Sequence, residues 1–330
     1  MLAAYAVRLA PEEPLSALEI GEQPNPDPGR GWVTVQLCAA SLNHHDLWSL
    51  RGVGLRAHQL PMVLGCDGAG VDEEGNEVIV HAVIAGSDHS GDETMDPRRT
   101  LLSERYSGTL ADLVAVPRRN LVAKPPELSW AEAACLPTAW LTAYRMLFTQ
   151  SGVRPGGTVL VQGAGGGVAT ALIALASATG YRVWVTSRSE ERRARALAIG
   201  ATAAFEPGER LPDRVDAVME TVGQPTWEHS MKALRPGGTI VVSGATGGHE
   251  VMSDLRRVLF LQLRVVGSTM GTRTELEQLI RLCVASGVRP LVAAELPLEE
   301  ARDGFARLLA GEVFGKVVLT RPRRSGSGRA

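Results

Sequence analysis

Short apolar runs alternate with helical stretches over residues 158–266. The apolar runs predict buried parallel strands at residues 158–162, 181–185, 215–219, 239–242 and 264–266. Helical periodicity, with start and stop residues at its ends, predicts helices at residues 168–179, 190–199, 225–234 and 255–262. This alternation predicts an α/β fold with a doubly wound parallel sheet.

The first 120 residues have a different pattern, rich in turns and in strand-like alternation. Alternating apolar and polar positions at residues 32–37 predict a strand, and residues 77–83 are a second candidate. Residues 86–108 are too polar for a core, so they predict a surface lobe. Ser129 and Glu132 predict a capping box at a helix start. Near the end, the pattern predicts helices at 274–286 and 298–309 and a closing strand at 316–320.

Composition narrows the class of protein. The chain has 330 residues, 45% hydrophobic and 21% charged, which is typical of a soluble protein with two domains. The net charge of −2 gives no indication of a nucleic-acid or membrane partner. A cluster of arginines lies in a Ser/Gly-rich tail at residues 321–330, which we expect to be disordered.

The cysteines and the apolar segments indicate a compartment. The four cysteines are scattered and form no C-x-x-C pair, so no disulfide framework is predicted. No leader with a basic start and an apolar core is visible, and no apolar run reaches the length of a membrane span. The sequence therefore predicts a cytoplasmic protein.

A glycine-rich segment follows the first of the parallel strands. Residues 163–168 read Gly-Ala-Gly-Gly-Gly-Val and open a helix, which is the form of a dinucleotide-binding βαβ unit. Glycines allow a close approach of the backbone to a pyrophosphate, and the helix start favours its charge. We predict that Gly163, Gly166, Gly167 and Val168 bind the cofactor.

The residues after the second parallel strand indicate which cofactor. A site for NADH would place a carboxylate about 20 residues after the glycines, but this chain has Ser187 followed by Arg188, with Arg192 one turn further on. A hydroxyl beside guanidinium groups favours a 2′-phosphate. We therefore predict NADPH, and the alternative is an ordinary solvated basic helix.

Several motifs, in order along nearly the whole chain, resemble those of one family. They are ASLNHHD at 40–46, LGCDGAG at 64–70, LPTAWLTAY at 136–144, RPGG at 154–157, VMETVG at 218–223, GSTMG at 267–271 and FGKVVL at 314–319. With the glycine loop, they make the chain resemble the medium-chain dehydrogenase/reductase superfamily. This superfamily includes zinc alcohol dehydrogenases and zinc-free quinone and enoyl reductases.

The resemblance implies a domain plan and further cofactor contacts. It implies a β-rich GroES-like catalytic domain over residues 1–138, a Rossmann NADP(H)-binding domain over 139–269, and a return to the catalytic domain over 270–330. It also implies that Lys316 faces the pyrophosphate and that a homodimer forms through residues 255–271. The residues that it places beside the nicotinamide are Thr142, Gly244, Ala245, Thr246, Met270 and Gly271.

The resemblance raises the question of zinc. The family's zinc-ligand positions hold Asn43, Cys66, Asp67 and Thr138, which lack the two thiolates that the site needs. The polar lobe at 86–108 has no cysteine for a structural zinc. The sequence therefore predicts a zinc-free member. A metal site outside the family pattern stays open for the set His44, His45, Asp46, Cys66 and Asp67.

Without zinc, an alkoxide lacks a Lewis acid, so reduction of an activated double bond becomes the favoured reaction. We predict an NADPH-dependent oxidoreductase that reduces a small electrophile, namely an enone, an enoyl thioester or a quinone. Asn43 is the predicted donor to the developing oxyanion, and the predicted proton donor is His44, His45 or water. The alternatives are a zinc-dependent alcohol dehydrogenase and a non-catalytic NADPH-binding protein.

Overall fold

The computed structural model describes residues 1–321, which form two compact units. The first unit comprises residues 1–138 and the described residues from Val292 onward, and the second comprises Ala139–Leu291. The chain therefore leaves the first unit once and returns to it. The second unit continues past the expected Rossmann boundary at 269, because the helix Arg273–Ser286 packs against the helix Leu141–Tyr144.

The first unit begins with a series of short strands and two helices. The strands are β1 Leu2–Ala6, β2 Leu18–Glu22, β3 Trp32–Ser41, β4 Met62–Val63, β5 Asp67–Asp72, β6 Glu77–Val80, β7 Val83–Ile84, β8 Thr100–Leu101, β9 Leu113–Pro117 and β10 Leu121–Ala123. The helices are α1 His44–Arg51 and α2 Trp130–Ala134. The predicted capping box is confirmed, since Ser129 accepts the Glu132 N–H and Glu132 accepts the Ser129 N–H.

The second unit alternates strands and helices. Its strands are β11 Thr158–Gln162, β12 Arg182–Thr186, β13 Ala203–Phe205, β14 Val215–Glu220, β15 Leu234–Val242 and β16 Arg264–Gly267. Its α-helices are α3 Leu141–Tyr144, α4 Gly167–Ala178, α5 Glu190–Ala198, α6 Gln224–Ala233, α7 Leu255–Leu261 and α8 Arg273–Ser286. Two π-helical segments, Leu136–Trp140 and Arg145–Gln150, flank α3.

The six strands of the second unit form one parallel sheet in the order β13-β12-β11-β14-β15-β16. The predicted doubly wound α/β fold is thus confirmed, and the predicted strands and helices lie where the apolar pattern places them. β15 begins earlier than predicted, at Leu234, because a register shift between Val215 and Ala217 of β14 accommodates an irregular start.

The returning chain completes the main sheet of the first unit. It adds β17 Val292–Pro297, α9 Ala301–Ala310 and β18 Lys316–Thr320. β18 pairs antiparallel with β3, and the sheet runs β10-β6-β5-β3-β18-β17, with β9 also on β3. An apolar core that includes Leu50, Leu64 and Phe305, all fully buried, joins α1 and α9 to this sheet.

The end of the described chain corrects one expectation. Arg321, which the sequence assigns to a disordered tail, donates to Asp112 and Glu299, each at 2.6 Å. Two carboxylates thus fix the start of this segment, and the rest of the predicted tail, residues 322–330, lies outside the described residues. No helix among residues 1–321 is long and apolar enough to cross a membrane.

Candidate active site

Most of the predicted cofactor residues of the second unit follow the carboxyl ends of its parallel strands, whereas Thr142 lies on α3 and Arg192 on α5. The glycine loop follows β11, Ser187 and Arg188 follow β12, residues 244–246 follow β15, and Met270 and Gly271 come shortly after β16. These strands are close neighbours in the sheet. The carboxyl edge of an open parallel sheet is where dinucleotides bind.

The glycine loop has the geometry that a pyrophosphate requires. Gly163 has a φ of +83°, a left-handed conformation that favours glycine. Gly166 is the N-cap of α4 and offers no side chain to its first N–H groups. A Cβ added at Gly166 would meet nothing within 4 Å, so the space in front of the helix is open. The loop therefore fits a phosphate bound at a helix start.

The basic residues after β12 lie beside this loop. The guanidinium of Arg192 covers Gly165 so closely that a Cβ there would lie 2.9 Å from its Nη1. Ser189 caps α5 by accepting the Arg192 N–H at 3.3 Å, which fixes the backbone of Arg192. Ser187 is almost buried, whereas Arg188 is exposed. One hydroxyl and two guanidinium groups thus belong to the same edge of the sheet.

The residues expected beside the nicotinamide are held by close packing. Thr142 is buried on α3, and Met270 has a φ of +50°, which is uncommon for a side chain of its size. A Cβ at Gly271 would lie 2.7 Å from Leu141. Thr246 and its neighbours pack on the segment after β14, since the Thr246 N–H donates to the Thr221 carbonyl at 3.3 Å. These contacts fix the loops, and the cofactor roles stay predictions.

Lys316 lies in the first unit, at the start of β18, with only 3% of its surface exposed. Its ammonium donates to the Leu42 carbonyl at 2.7 Å, to Asn43 Oδ1 at 2.6 Å and to Asp67 Oδ2 at 3.2 Å. All three protons of the ammonium therefore have acceptors within the first unit. The predicted contact of Lys316 with a pyrophosphate would need one of these bonds to break.

Asn43 is the N-cap of α1 and links this cation to two carboxylates. Its backbone N–H donates to Asp46 at 2.8 Å, and its Nδ2 donates to Asp67 Oδ2 at 2.8 Å. The remaining amide hydrogen faces the Ser41 carbonyl at the long distance of 3.4 Å. A predicted oxyanion donor at Asn43 would use this weakly held hydrogen.

The two carboxylates next to Asn43 are both fully buried. Asp67 Oδ2 accepts from Ser41, Asn43 and Lys316, whereas Asp67 Oδ1 has no hydrogen-bond partner in residues 1–321. Asp46 Oδ1 also has none in this part of the chain. Burial raises the pKa of Asp46 to about 6, against the opposing charge of His45. The cluster thus contains a carboxyl group that titrates near neutrality.

His45 connects Cys66 to Glu104. Its Nδ1 lies 3.4 Å from Cys66 Sγ, and its Nε2 lies 3.2 Å from Glu104 Oε1. Burial opposes a charge on His45, but the contacts with Cys66 and Glu104 outweigh it and raise the pKa of His45 well above its usual range. Burial raises the pKa of the Cys66 thiol, which donates to the Leu102 carbonyl at 3.2 Å. Both ring nitrogens of His45 are therefore already engaged.

His44 differs from its neighbour. Its ring has exposed surface and makes no hydrogen bond within the described residues. Desolvation by the surrounding protein, followed by the charges of Lys316 and Arg51, lowers the pKa of His44. Of the two predicted catalytic histidines, only His44 has ring nitrogens without a hydrogen-bond partner in residues 1–321.

The four family zinc positions do not fit zinc here. Asn43 and Thr138 offer neutral oxygen or nitrogen atoms in place of thiolates, and Thr138 Oγ1 has no partner among the described residues. The Lys316 ammonium already neutralises Asp67, and a dication would be repelled by it. In residues 1–321, no group of three or more His, Cys, Asp or Glu side chains is arranged to hold a metal ion. This includes the set from His44 to Asp67 that the sequence left open.

One member of the cluster, Glu104, was not predicted from the sequence. Asp46 was already among the residues for which a shared site stayed open, and its place three residues after the N-cap Asn43 is typical of a capping box. Glu104 comes from the polar lobe, and nothing in its local sequence distinguishes it. It is carried by a turn in which Ser103 has a φ of +67°, and its Oε2 accepts the Leu101 N–H at 3.0 Å.

Two family models match separate parts of the chain. The family model for the alcohol dehydrogenase GroES-like domain matches residues 29–126, and the model for zinc-binding dehydrogenases matches residues 167–285. The first match confirms a GroES-like domain in the β-rich part of the chain, where the sequence predicted it. The second match spans most of the parallel sheet.

The chain is similar over almost its full length to proteins of more than one activity. An acryloyl-coenzyme A reductase of Metallosphaera sedula is 30% identical over 323 residues, which cover 92% of this chain and 96% of that protein. The acryloyl-coenzyme A reductase of Sulfurisphaera tokodaii is 28% identical over 326 residues, covering 93% and 97%. A crystal structure of an NAD-dependent alcohol dehydrogenase has a TM-score of 0.89 and 35% identity, covering 98% of this chain and 100% of that one.

The burial of Asp46 leads to a prediction about stability and pH. Its pKa is raised from 3.8 to about 6, a shift that corresponds to roughly 3 kcal/mol. A raised pKa means that the folded state holds the proton more tightly, so this contribution to stability falls as pH rises from about 4 through 6. We expect Asp46→Asn, which stays neutral, to gain stability relative to the wild type over that window. Urea midpoints at pH 4.5, 6.0 and 7.5 measure the difference.

The control for this prediction is Asp27→Asn, because Asp27 is exposed and lies in the same unit. The pH dependence of Asp46→Asn is compared with that of Asp27→Asn. Equal pH dependence of the two variants would contradict the raised pKa of Asp46.

Proposed function

Because the chain belongs to the medium-chain dehydrogenase/reductase superfamily of oxidoreductases, we propose that it reduces an activated carbon–carbon double bond with NADPH. An enoyl thioester is the leading substrate class, since two relatives that match nearly the whole chain are acryloyl-coenzyme A reductases. Enones and quinones are the other electrophiles that the same chemistry would accept. The reaction is proposed to proceed without zinc.

One observation carries the zinc-free part of the proposal. The Lys316 ammonium contacts Asp67 and Asn43 at two of the positions where a zinc-dependent relative would hold its metal. A fixed unit charge there supports the carboxylate but offers no vacant coordination position for an alkoxide. Hydride transfer to a double bond that is already polarised by a carbonyl does not need such a position.

Other residues of the chain would bind the cofactor and stabilise the developing negative charge. When bound, a reduced nicotinamide supplies the hydride. The glycine loop and α4 would hold the pyrophosphate, and Ser187, Arg188 and Arg192 would hold the 2′-phosphate. Asn43 would donate its weakly held amide hydrogen to the oxygen on which negative charge develops.

Reduction of a double bond also needs one proton, and we assign it to His44. His44 is an exposed residue and makes no hydrogen bond in residues 1–321, whereas both nitrogens of His45 are in contact with Cys66 and Glu104. His45, whose ring nitrogens contact Cys66 and Glu104, is assigned a structural role next to His44. Since the pKa of His44 is lowered, a rate that depends on its proton should fall as pH rises through the acid side of the usual histidine range.

A second candidate function is oxidation of an alcohol. It is favoured by the 35% identity to a crystal structure described as an NAD-dependent alcohol dehydrogenase. This candidate would require a metal bound by residues that the family pattern does not use. The third alternative is a protein that binds the dinucleotide without turnover.

We also propose that two copies of the chain associate through the second unit. β16 is the edge strand of the parallel sheet, and its backbone groups on that side face no strand among the described residues. The segment around it is apolar and exposed, with Leu255 at 75%, Leu259 at 70%, Phe260 at 77% and Val265 at 51%. A second copy presents the same edge and the same apolar surface, so a twofold pairing would cover both.

The test of the proposed function is NADPH oxidation by dialysed protein of known metal content. We expect turnover with crotonyl-coenzyme A and acryloyl-coenzyme A at a higher kcat/KM than with aldehydes, because the polarised double bond needs no Lewis acid. The pH–rate profile of the wild type should show a descending limb that His44→Gln removes. His45→Gln, by contrast, should keep that limb.

The other outcomes separate the alternatives. Activity on alcohols that appears only after zinc is added would contradict the proposal and favour the dehydrogenase. Saturable NADPH binding with no turnover of thioesters, enones, quinones or alcohols would favour a protein that binds the dinucleotide without catalysis.

The choice of NADPH gives a separate prediction. The Arg192 guanidinium beside the glycine loop should bind the 2′-phosphate, so Arg192→Ala should raise KM for NADPH by roughly tenfold and leave KM for NADH nearly unchanged. Steady-state kinetics with both cofactors measure this. The control is Arg195→Ala on the same helix, where the side chain pairs with Glu191 instead. Equal effects of Arg192→Ala on both cofactors would contradict the assignment.

The proposed homodimer predicts an assembly of twice the 35.1 kDa chain mass. We expect Phe260→Glu to give a monomer, because it places a charge in the apolar surface beside β16. Light scattering after gel filtration measures the mass. Met95→Glu is the control, since Met95 is equally exposed, at 71%, but lies in the first unit. A wild type that runs as a monomer would exclude this interface.

A further inference from the structure

Three neighbouring strands of the second unit each end in a buried polar residue. Gln162 ends β11, Thr186 ends β12 and Glu220 ends β14, and none of the three is more than 1% exposed. β11 lies between β12 and β14, so the three residues stand side by side at the carboxyl edge. Buried polar groups are costly unless they are hydrogen-bonded, so their partners indicate what the group does.

Glu220 is the acceptor at one end of the group. Its Oε1 accepts the N–H groups of Val222 at 2.9 Å and Gly223 at 3.0 Å, and its Oε2 accepts the Ser230 hydroxyl at 2.6 Å. A carboxylate only accepts, so the single proton of Ser230 is used on Glu220. Ser230 can then only accept from Gln162 Nε2, at 3.0 Å.

Gln162 extends this series of hydrogen bonds, in the same donor-to-acceptor order, toward the glycine loop. With its Nε2 donating to Ser230, its Oε1 accepts the Thr186 hydroxyl at 2.6 Å. Thr186 has thereby used its proton, so its oxygen accepts the backbone N–H of Gly163 at 3.3 Å. One directed chain of hydrogen bonds therefore runs from the Gly163 amide through Thr186, Gln162 and Ser230 to Glu220.

The second amide hydrogen of Gln162 also has an acceptor. It faces His229 Nδ1 at 3.2 Å, while His229 Nε2 lies 3.0 Å from the Glu209 carbonyl. A carbonyl accepts, so Nε2 carries the hydrogen and Nδ1 is free to accept, which is the neutral ring. Burial lowers the pKa of His229 and favours this form, against the opposing effects of the Glu209 carbonyl and Glu220. Each amide hydrogen of Gln162 is thus matched to one acceptor.

We propose that Gln162 and Thr186 are positioning residues of the dinucleotide site. They hold in one arrangement the segments after three strands: the glycine loop after β11, Ser187 and Arg188 after β12, and Val222 and Gly223 after β14. The inference rests on the proposed function, since it requires a dinucleotide at this edge. It goes further by assigning the shape of the cradle to buried side chains that do not touch the cofactor.

The test removes one hydroxyl from the middle of the chain. Thr186→Val keeps the shape of the side chain but leaves Gln162 Oε1 and the Gly163 N–H without their partner, whereas Thr186→Ser keeps both bonds. We expect the Kd for NADPH, measured by fluorescence titration, to rise about tenfold in Thr186→Val, as for the loss of one net hydrogen bond. It should change less than about twofold in Thr186→Ser.

Two comparisons separate positioning from general damage to the sheet. Thr158→Val makes the same change at the other end of β11, where Thr158 is 3% exposed, and should leave the Kd unchanged. In Thr186→Val, KM for NADPH should rise while KM for the enoyl thioester stays constant. If Thr186→Val does not fold, Ser230→Ala interrupts the chain from the Glu220 side and should weaken NADPH binding in the same way.

The contrary results are distinct. Equal Kd values in folded Thr186→Val and Thr186→Ser would overturn the positioning role while leaving the proposed function intact. A loss of affinity in Thr158→Val as large as in Thr186→Val would assign the effect to the sheet as a whole. A wild type with no affinity for NADPH or NADH would overturn both this inference and the proposed function.

Discussion

The first unit depends on one buried cation. The Lys316 ammonium reaches the end of the segment before α1, the N-cap Asn43 and the carboxylate of Asp67 on β5, although about 250 residues or more separate it from each of them. It therefore attaches the returning chain to the first part of the same unit. An ion pair in such surroundings contributes little net stability, but removing one partner of a buried pair typically costs about 3–5 kcal/mol. The three hydrogen bonds of this ammonium therefore fix the positions of β18, α1 and β5 relative to one another.

The same interaction limits the chemistry of the site. In a zinc enzyme, the positive charge is a metal ion with a vacant position that a substrate oxygen can occupy. In this chain the charge is an ammonium whose three hydrogens are all used inside the protein. It can stabilise Asp67 and orient Asn43, and it adds to the desolvation that lowers the pKa of His44. It cannot bind the substrate oxygen without losing a partner. In the proposed reaction, hydrogen-bond donors would then stabilise the developing negative charge, which suits an enolate better than an alkoxide.

The sequence predicts the strands and helices of the second unit better than it predicts the side-chain contacts in the first unit. The reason is physical. Strands, helix caps and the glycine loop depend on neighbours within a few residues, so the apolar pattern alone places β11, α4 and β12 correctly. The family resemblance predicted that Lys316 faces a pyrophosphate. Only the fold shows that its ammonium donates a hydrogen bond to Asn43 Oδ1. Glu104 and His45 meet across 59 residues, and no local pattern encodes that contact.

The two units satisfy their buried carboxylates in different ways, and the difference has consequences for function. The charge of Asp67 is compensated by the Lys316 ammonium, and its Oδ1 has no hydrogen-bond partner among the described residues. Glu220 receives only neutral donors, two backbone N–H groups and two hydroxyls. Both hydroxyls donate to the carboxylate, and the Ser230 oxygen then accepts from Gln162, so the direction of donation continues from Glu220 to Gln162. Among residues 1–321 Glu220 has no cation as a hydrogen-bond partner, and the ordered chain that starts at Glu220 reaches Gly163, where a dinucleotide phosphate needs a fixed backbone.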